Sequence, residues 1–223
     1  VEKLKFKPTV TNILISINII FYILMTLSGG SNNSRVLLLF GAKFNPLIEQ
    51  GQVWRLVMPI FLHIGLEHLV LNCVSIYFLG KQLEWLLGKK RFLAIYILSG
   101  IGGNLASYYF NPNSISAGAS TSIFGLFGIY IMMGLEFKNL PEIKIYARQI
   151  ALLVLLNIGF SFFDGGGINV DTFGHIGGLL AGILFGYVLG IPRLGKIKAF
   201  RRYLAIVLVI VLLILSVKKV FTI

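Results

Sequence analysis

Long apolar runs alternate with short polar or basic connections along most of this chain. A membrane-spanning helix needs about 20 predominantly apolar residues, and runs near that length fall at approximately 11–29, 67–87, 91–110, 119–136, 148–164, 172–192 and 202–217. They predict seven transmembrane helices. The first run is too long for the apolar core of a signal peptide and no small-residue cleavage site follows it, so it is read as a retained helix. Between the first two runs, residues 30–66 are interrupted by Gly, Pro and charge. The stretch VLLLFGAKFNPLIEQGQVWRLVMPIFLHIG predicts a segment lying in the membrane interface, with Trp54 and Arg55 at headgroup depth.

Composition agrees with the pattern. With 57% hydrophobic and 13% charged residues and a mean hydropathy of +0.87, the chain has too little polar side-chain surface for a soluble protein of this size, and its solvent is a lipid bilayer. The net charge of +12 does not point to nucleic acid, because the 20 Lys and Arg lie in clusters between apolar runs rather than along one face. The single cysteine, Cys73, lies inside an apolar run, which excludes a disulfide framework and a CxxC metal pair.

The basic clusters predict orientation, since Lys and Arg favour cytoplasmic loops. Lys3, Lys5 and Lys7 place the N-terminus inside; Lys89, Lys90 and Arg91, then Lys138, Lys144 and Arg148, then Arg193, Lys196, Lys198, Arg201 and Arg202 place the second, fourth and sixth connections inside. Residues 110–119 and 165–171 contain no Lys or Arg. Lys43 and Arg55 dissent from this topology by falling outside, as do Lys218 and Lys219 after the seventh run.

This topology brings the starts of the second, fourth and sixth helices to the outer side, and those starts hold His68, Ser120 and His175. The three histidines, His63, His68 and His175, all lie near that level. Ser120 in a first helical turn suits a cap or a close helix approach; as a nucleophile it would need a base within hydrogen-bond reach, and at that depth only a histidine qualifies. His175 alone reads as an interfacial residue or an interhelical hydrogen bond. It is followed, however, by Gly178, Gly182, Gly186 and Gly190, a four-residue spacing begun at Gly174, which puts the glycines on one face where another backbone can approach. The fourth helix offers a matching small surface in Ala119, Gly125 and Gly128. If these faces meet, Ser120 and His175 face each other in the same first turn. His68 and Asn72, four apart, share one helix face; they either satisfy each other or aim donors at an oxyanion, with the Ser120 backbone N–H as a third donor.

These residues, in the segments VWRLVMPIFLHIGLEHLVLN, GASTSIFGLFG and DTFGHIGGLLAG, resemble the rhomboid family of intramembrane serine proteases, over about residues 12 to 192. The resemblance implies an all-α membrane protein: a polytopic helical bundle forming one membrane-embedded domain over 1–223, with a six-helix rhomboid-like core in 11–192 and one additional C-terminal transmembrane helix at 202–217. It implies that Ser120 is the nucleophile and His175 the general base, a dyad without a required carboxylate; Asp171, four residues before His175, is not drawn into a triad. It further assigns His68 and Asn72 to the oxyanion hole, His63 to a structural role beside them, Trp54 and Arg55 to the interfacial loop, and Phe124 to an aromatic position packed on the histidine. Glu84 and Gly88 fit the family pattern after the second helix. The sequence departs from the family where Thr121 follows the nucleophile in place of the usual glycine; its β-branch lies next to the nucleophile and its hydroxyl is within reach of the preceding turn.

The implied activity is peptide-bond hydrolysis in or near transmembrane segments of other membrane proteins, within the bilayer and without a metal or other cofactor. An inactive relative that binds membrane clients would share the fold but would usually have lost Ser120 or His175. No inverted repeat supports a transporter, and the absence of HExxH argues against a zinc protease. The connection FFDGGGINVD reads either as a flexible loop or as a cap moving with the fifth helix, with Phe162 and Phe163 as its apolar part. Compact loops favour a bacterial cytoplasmic membrane, with the site on the extracytoplasmic face.

Overall fold

The structure, a computed structural model, describes residues 9–163 and 171–221; the side chains of residues 162, 163 and 218–221 lie outside that description. The GGG connection and the proposed cap therefore lie outside the described residues, as do the side chains of Phe162 and Phe163 and residues Lys3, Lys5 and Lys7. Among the described residues every regular element is helical apart from one isolated antiparallel bridge between Lys43 and Ser116.

The seven long helices are α1 (Val10–Leu27), α4 (Leu66–Leu87), α5 (Lys89–Phe110), α6 (Ser120–Glu136), α7 (Pro141–Phe163), α8 (Thr172–Leu189) and α9 (Ala199–Phe221). Between α1 and α4 the chain forms α2 (Ser34–Phe40), α3 (Asn45–Glu49) and two 3-10 turns at Val53–Leu56 and Met58–Phe61. By length and apolarity alone, α1, α7, α8 and α9 are able to cross a membrane. α6 is apolar but has 17 residues, while α4 and α5 carry charged and polar residues, several of which face the interior. The protein is a multi-pass membrane protein. The boundary that differs most from the sequence reading is the start of α7, at Pro141 rather than 148. Proline is favoured at the first helical position and Glu142 complements the dipole of the first turn, so Lys144 and Arg148 belong to the helix instead of the connection.

α6 is buried along nearly its whole length, with α5, α7 and α8 as its main neighbours. The α6–α8 contact is made by backbone. A Cβ on Gly182 would collide with the carbonyl of Gly125, one on Gly178 with the carbonyl of Thr121, and one on Gly128 with the carbonyl of Leu179. The facing surfaces expected from the sequence therefore meet. A second seam, between α5 and α8, was not foreseen: Gly102 lies against Ala181, and Gly177 against Ala106 and the carbonyl of Gly102. α8 is wedged between α5 and α6.

At the opposite end, Glu84 of α4 accepts from the backbone N–H groups of Val10 and Thr11, both at 2.9 Å, and from the Thr11 hydroxyl at 2.8 Å. It thus satisfies amides that the start of α1 leaves without intrahelical acceptors. Gly88, at φ +78° in the left-handed region that favours glycine, turns the chain directly from α4 into α5.

The seam makes a contrast testable by thermal unfolding in detergent. Gly182→Ala, which forces two backbones apart, is expected to destabilise the protein by about 1–3 kcal/mol or more. Gly159→Ala in α7, where a Cβ would meet nothing within 4 Å, is expected to be neutral or stabilising by up to about 1 kcal/mol.

Candidate active site

Ser120 is the first residue of α6 and His175 lies in the first turn of α8. Glycine contact along the seam brings these two turns together, and His175 Nε2 lies 2.9 Å from Ser120 Oγ. The Phe124 ring stacks on the imidazole at 4.1 Å between centroids and 11° between planes. Phe124, one turn after Ser120, therefore covers one face of the His175 ring. The other ring nitrogen, Nδ1, is buried without a hydrogen-bond partner. Asp171 does not supply one. Its Oδ1 accepts the Gly174 N–H at 3.0 Å as the cap of α8, and its Oδ2 accepts the Ser116 hydroxyl at 2.7 Å. The buried backbone of Gly174 packs against Gly103 of α5, where a Cβ would meet the Gly174 carbonyl.

Gly118 precedes the serine turn at φ +150°, and its amide donates to the Pro59 carbonyl at 2.9 Å. A Cβ there would fall 2.9 Å from His68 Nε2 and 3.5 Å from Ser120 Oγ. His68 thus borders the space beside the serine hydroxyl. Asn72, one turn further along α4, donates to the His68 carbonyl at 2.8 Å, leaving its second amide N–H. As the first residue of a helix, Ser120 also has a backbone N–H with no acceptor in its own helix. His63 is fully buried and packs edge-on against His68 at 5.3 Å. Burial holds His63 far below the usual imidazole range, at about 3, so it stays neutral at physiological pH.

The three neighbouring hydroxyls have separate environments. Ser120 faces His175, whereas Ser122 is buried and donates to the Tyr96 carbonyl of α5 at 2.7 Å. Thr121 turns toward α5, where a Cβ on Gly103 would strike its side chain. Its hydroxyl makes no bond to the preceding turn and has no partner. The β-branch is thus taken up between helices.

Trp54 and Arg55 do not join this cluster. Trp54 is 54% exposed, but Arg55 is 6% exposed, turned inward rather than set at headgroup depth. Its guanidinium donates to the carbonyls of Leu38 and Ala42, each at 2.9 Å, and to Gln52 Oε1 at 2.8 Å. A fork of donors matched to main-chain carbonyls explains why this basic residue escaped the charge rule. Lys43 is fully buried for a similar reason, its Nζ donating to the Asn111 carbonyl at 2.5 Å. Sequence reasoning had found both residues but had given neither of them these partners.

The Rhomboid domain model matches residues 50–192. The chain belongs to the rhomboid family. It is 40% identical over 206 residues to Rhomboid protease GluP of Bacillus subtilis, covering 92% of this chain and 39% of that protein. It is 42% identical over 159 residues to Rhomboid-like protease 3 of Toxoplasma gondii, covering 68% of this chain and 57% of the relative. RHOMBOID-like protein 5 of Arabidopsis thaliana is 35% identical over 162 residues, covering 71% of this chain and 51% of the relative. The chain thus spans between about two fifths and three fifths of the length of these rhomboid relatives.

Stacking of two rings is worth about 0.5–1.5 kcal/mol beyond simple burial. Phe124→Leu is accordingly expected to slow labelling of Ser120 by a fluorophosphonate about two- to tenfold, while Phe124→Tyr stays within about twofold. Equal rates for all three proteins would show that the stacked ring does not hold His175.

Proposed function

We propose that this chain is an intramembrane serine endopeptidase that cuts peptide bonds in or near the transmembrane segments of other membrane proteins. The observation that carries this reading is the 2.9 Å approach of His175 Nε2 to Ser120 Oγ. For Nε2 to accept the serine proton, the neutral ring carries its own proton on Nδ1.

Ser120 Oγ attacks the carbonyl carbon of the scissile bond as His175 Nε2 takes its proton. Negative charge then develops on the carbonyl oxygen, to be met by the Ser120 N–H, the His68 imidazole and the second N–H of Asn72. His175 returns the proton to the leaving nitrogen, the C–N bond breaks, and an acyl-enzyme remains on Ser120. A water deprotonated by His175 then releases the second product and restores both groups.

Thr121, next to the nucleophile, faces Gly103, and α5 continues to Phe110. Seven residues at about 1.5 Å each put the dyad about 10 Å short of that end of α5. Water must descend into the protein, where polar groups lining a cavity are tolerated. A substrate helix hides its carbonyls in its own hydrogen bonds, so segments with helix-breaking residues near their outer end are the favoured substrates. The N-terminus is cytoplasmic and the dyad opens to the extracytoplasmic side, the orientation that accounts for the basic clusters after α4, α6 and α8. The membrane is that of a bacterial cell.

The test is cleavage of a model transmembrane substrate by the purified chain in detergent, with labelling by a fluorophosphonate measured in parallel. Ser120→Ala and His175→Ala, checked for folding, are each expected to lower the rate by at least ~10³-fold. Wild-type rates in either variant would remove the dyad from the mechanism. Absence of both cutting and labelling in the wild type would favour a client-binding relative.

A further inference from the structure

A chain of polar contacts outside the dyad joins its two halves. It begins at Lys43, between α2 and α3, which is paired through its backbone with Ser116: Lys43 N–H to the Ser116 carbonyl at 2.9 Å and Ser116 N–H to the Lys43 carbonyl at 3.1 Å. Residue 116 lies four positions before the nucleophile. The Lys43 ammonium reaches the Asn111 carbonyl and, at 3.4 Å, Ser114 Oγ. Ser114 Oγ lies 3.2 Å from Ser116 Oγ, which donates to Asp171 Oδ2 at 2.7 Å. The other Asp171 oxygen caps Gly174, and the Asp171 carbonyl accepts the His175 N–H at 3.0 Å.

The two ends of the chain have a fixed direction: the Lys43 ammonium can only donate, and Ser116 donates to the Asp171 carboxylate. Between them the two hydroxyls lie within hydrogen-bond reach, and the Ser114 hydroxyl has a second acceptor in the Asn111 carbonyl at 3.0 Å, which it shares with the Lys43 ammonium, so the buried cation is joined to the Asp171 carboxylate by successive polar contacts. Lys43 is held by backbone to the segment that leads into Ser120, and its side chain is linked to the carboxylate that starts α8 through Ser114 and Ser116. None of the four steps of the proposed hydrolysis uses it. Surface charge selection also fails to account for a lysine at this depth, since an unpaired buried ammonium is costly.

We infer that Lys43 is a positioning residue that acts through Ser114, Ser116 and Asp171 to hold the first turn of α8 against the serine segment, and so sets the Ser120–His175 geometry. The inference rests on the dyad reading and extends it to residues that touch neither reacting atom. Burial holds the Lys43 ammonium below the usual lysine range, at about 8, with the Asp171 charge acting in the opposite direction. Its hydrogen-bond partners, the Asn111 carbonyl and the Ser114 hydroxyl, are neutral. The cation therefore begins to lose its proton as pH rises through about 8, and the clamp loosens above that point.

The test compares wild type with Lys43→Met, Ser116→Ala, Asp171→Asn and the double variant Lys43→Met/Asp171→Asn, measuring kcat, KM and the rate of fluorophosphonate labelling from pH 6 to 10. Each single variant is expected to lower kcat and labelling about ten- to a hundredfold with KM within about twofold, and the double variant to be no more than about twofold worse than its poorer parent. In wild type, kcat is expected to fall above about pH 8, a limb absent from Asp171→Asn. If Lys43→Met does not fold, Ser116→Ala, Asp171→Asn and the wild-type limb decide the question. Wild-type kcat in a folded variant, multiplicative losses in the double variant, or an alkaline limb that survives unchanged in Asp171→Asn would overturn the inference. A wild type that neither cuts nor labels would mean instead that the dyad reading itself has failed.

Discussion

Where Gly182 of α8 meets Gly125 of α6, no side chain separates the two backbones, and the position of the candidate nucleophile relative to its base follows from that approach. A side chain on Gly182 would widen the helix spacing along the seam, because interiors have little free volume, whereas one on Gly125 would strike Ser99 of α5. The Ser120–His175 contact lies at one end of this seam, so an error of about 1 Å in helix spacing would exceed the tolerance of a 2.9 Å hydrogen bond. α5 completes the constraint from the other side, where Gly102 and Gly177 let α8 settle between two helices instead of resting on one.

Much of this architecture was legible in the sequence because its signals are strong ones. Seven apolar runs survive as seven long helices, and a regular four-residue glycine spacing translates directly into one face of α8. The α5 seam was harder to see. Gly102 and Ala106 of α5, like Gly177 and Ala181 of α8, are each spaced by four, but they pair glycine with alanine and do not stand out beside the all-glycine series. The start of α7 was misplaced because polar residues were read as a connection, although Pro141 and Glu142 carry the chemistry of a helix start. Ser120, His175, Phe124 and His68 could be placed from their motifs. The partners of Ser122, Thr121 and Asp171 required three dimensions, since each hydroxyl or carboxylate has several short-range alternatives that the sequence does not distinguish.

Lys43 and Arg55 illustrate how a charge rule and a packing rule divide the basic residues. Positive charge in a short loop reports topology only when the side chain is free to interact with the membrane surface. These two side chains are occupied by carbonyls of the segment between α1 and α4 and of the turn before α6. That segment has a small apolar core in which Val36, Leu37, Ala42 and Leu62 pack with Met25 of α1. Buried donors add ties to its surroundings: Asn45 to the Tyr108 carbonyl, Asn104 to the Leu56 carbonyl, and Gly118 N–H to the Pro59 carbonyl. The segment that carries His63 is thus held by apolar packing and polar ties together, while α6 and α8 are held by close backbone packing.

The cap formed by Glu84 on the first amides of α1 also constrains the order of biogenesis. Val10 and Thr11 receive their acceptor from a residue more than seventy positions later in the chain, which the ribosome has not yet made when α1 first emerges. The amino end of the first helix must remain hydrated, at the cytoplasmic mouth of the insertion machinery in the proposed orientation, until nearly all of α4 has been synthesised. Final packing of α1 is therefore coupled to that of α4, whose Glu84 carboxylate leaves water only as it takes up these hydrogen bonds.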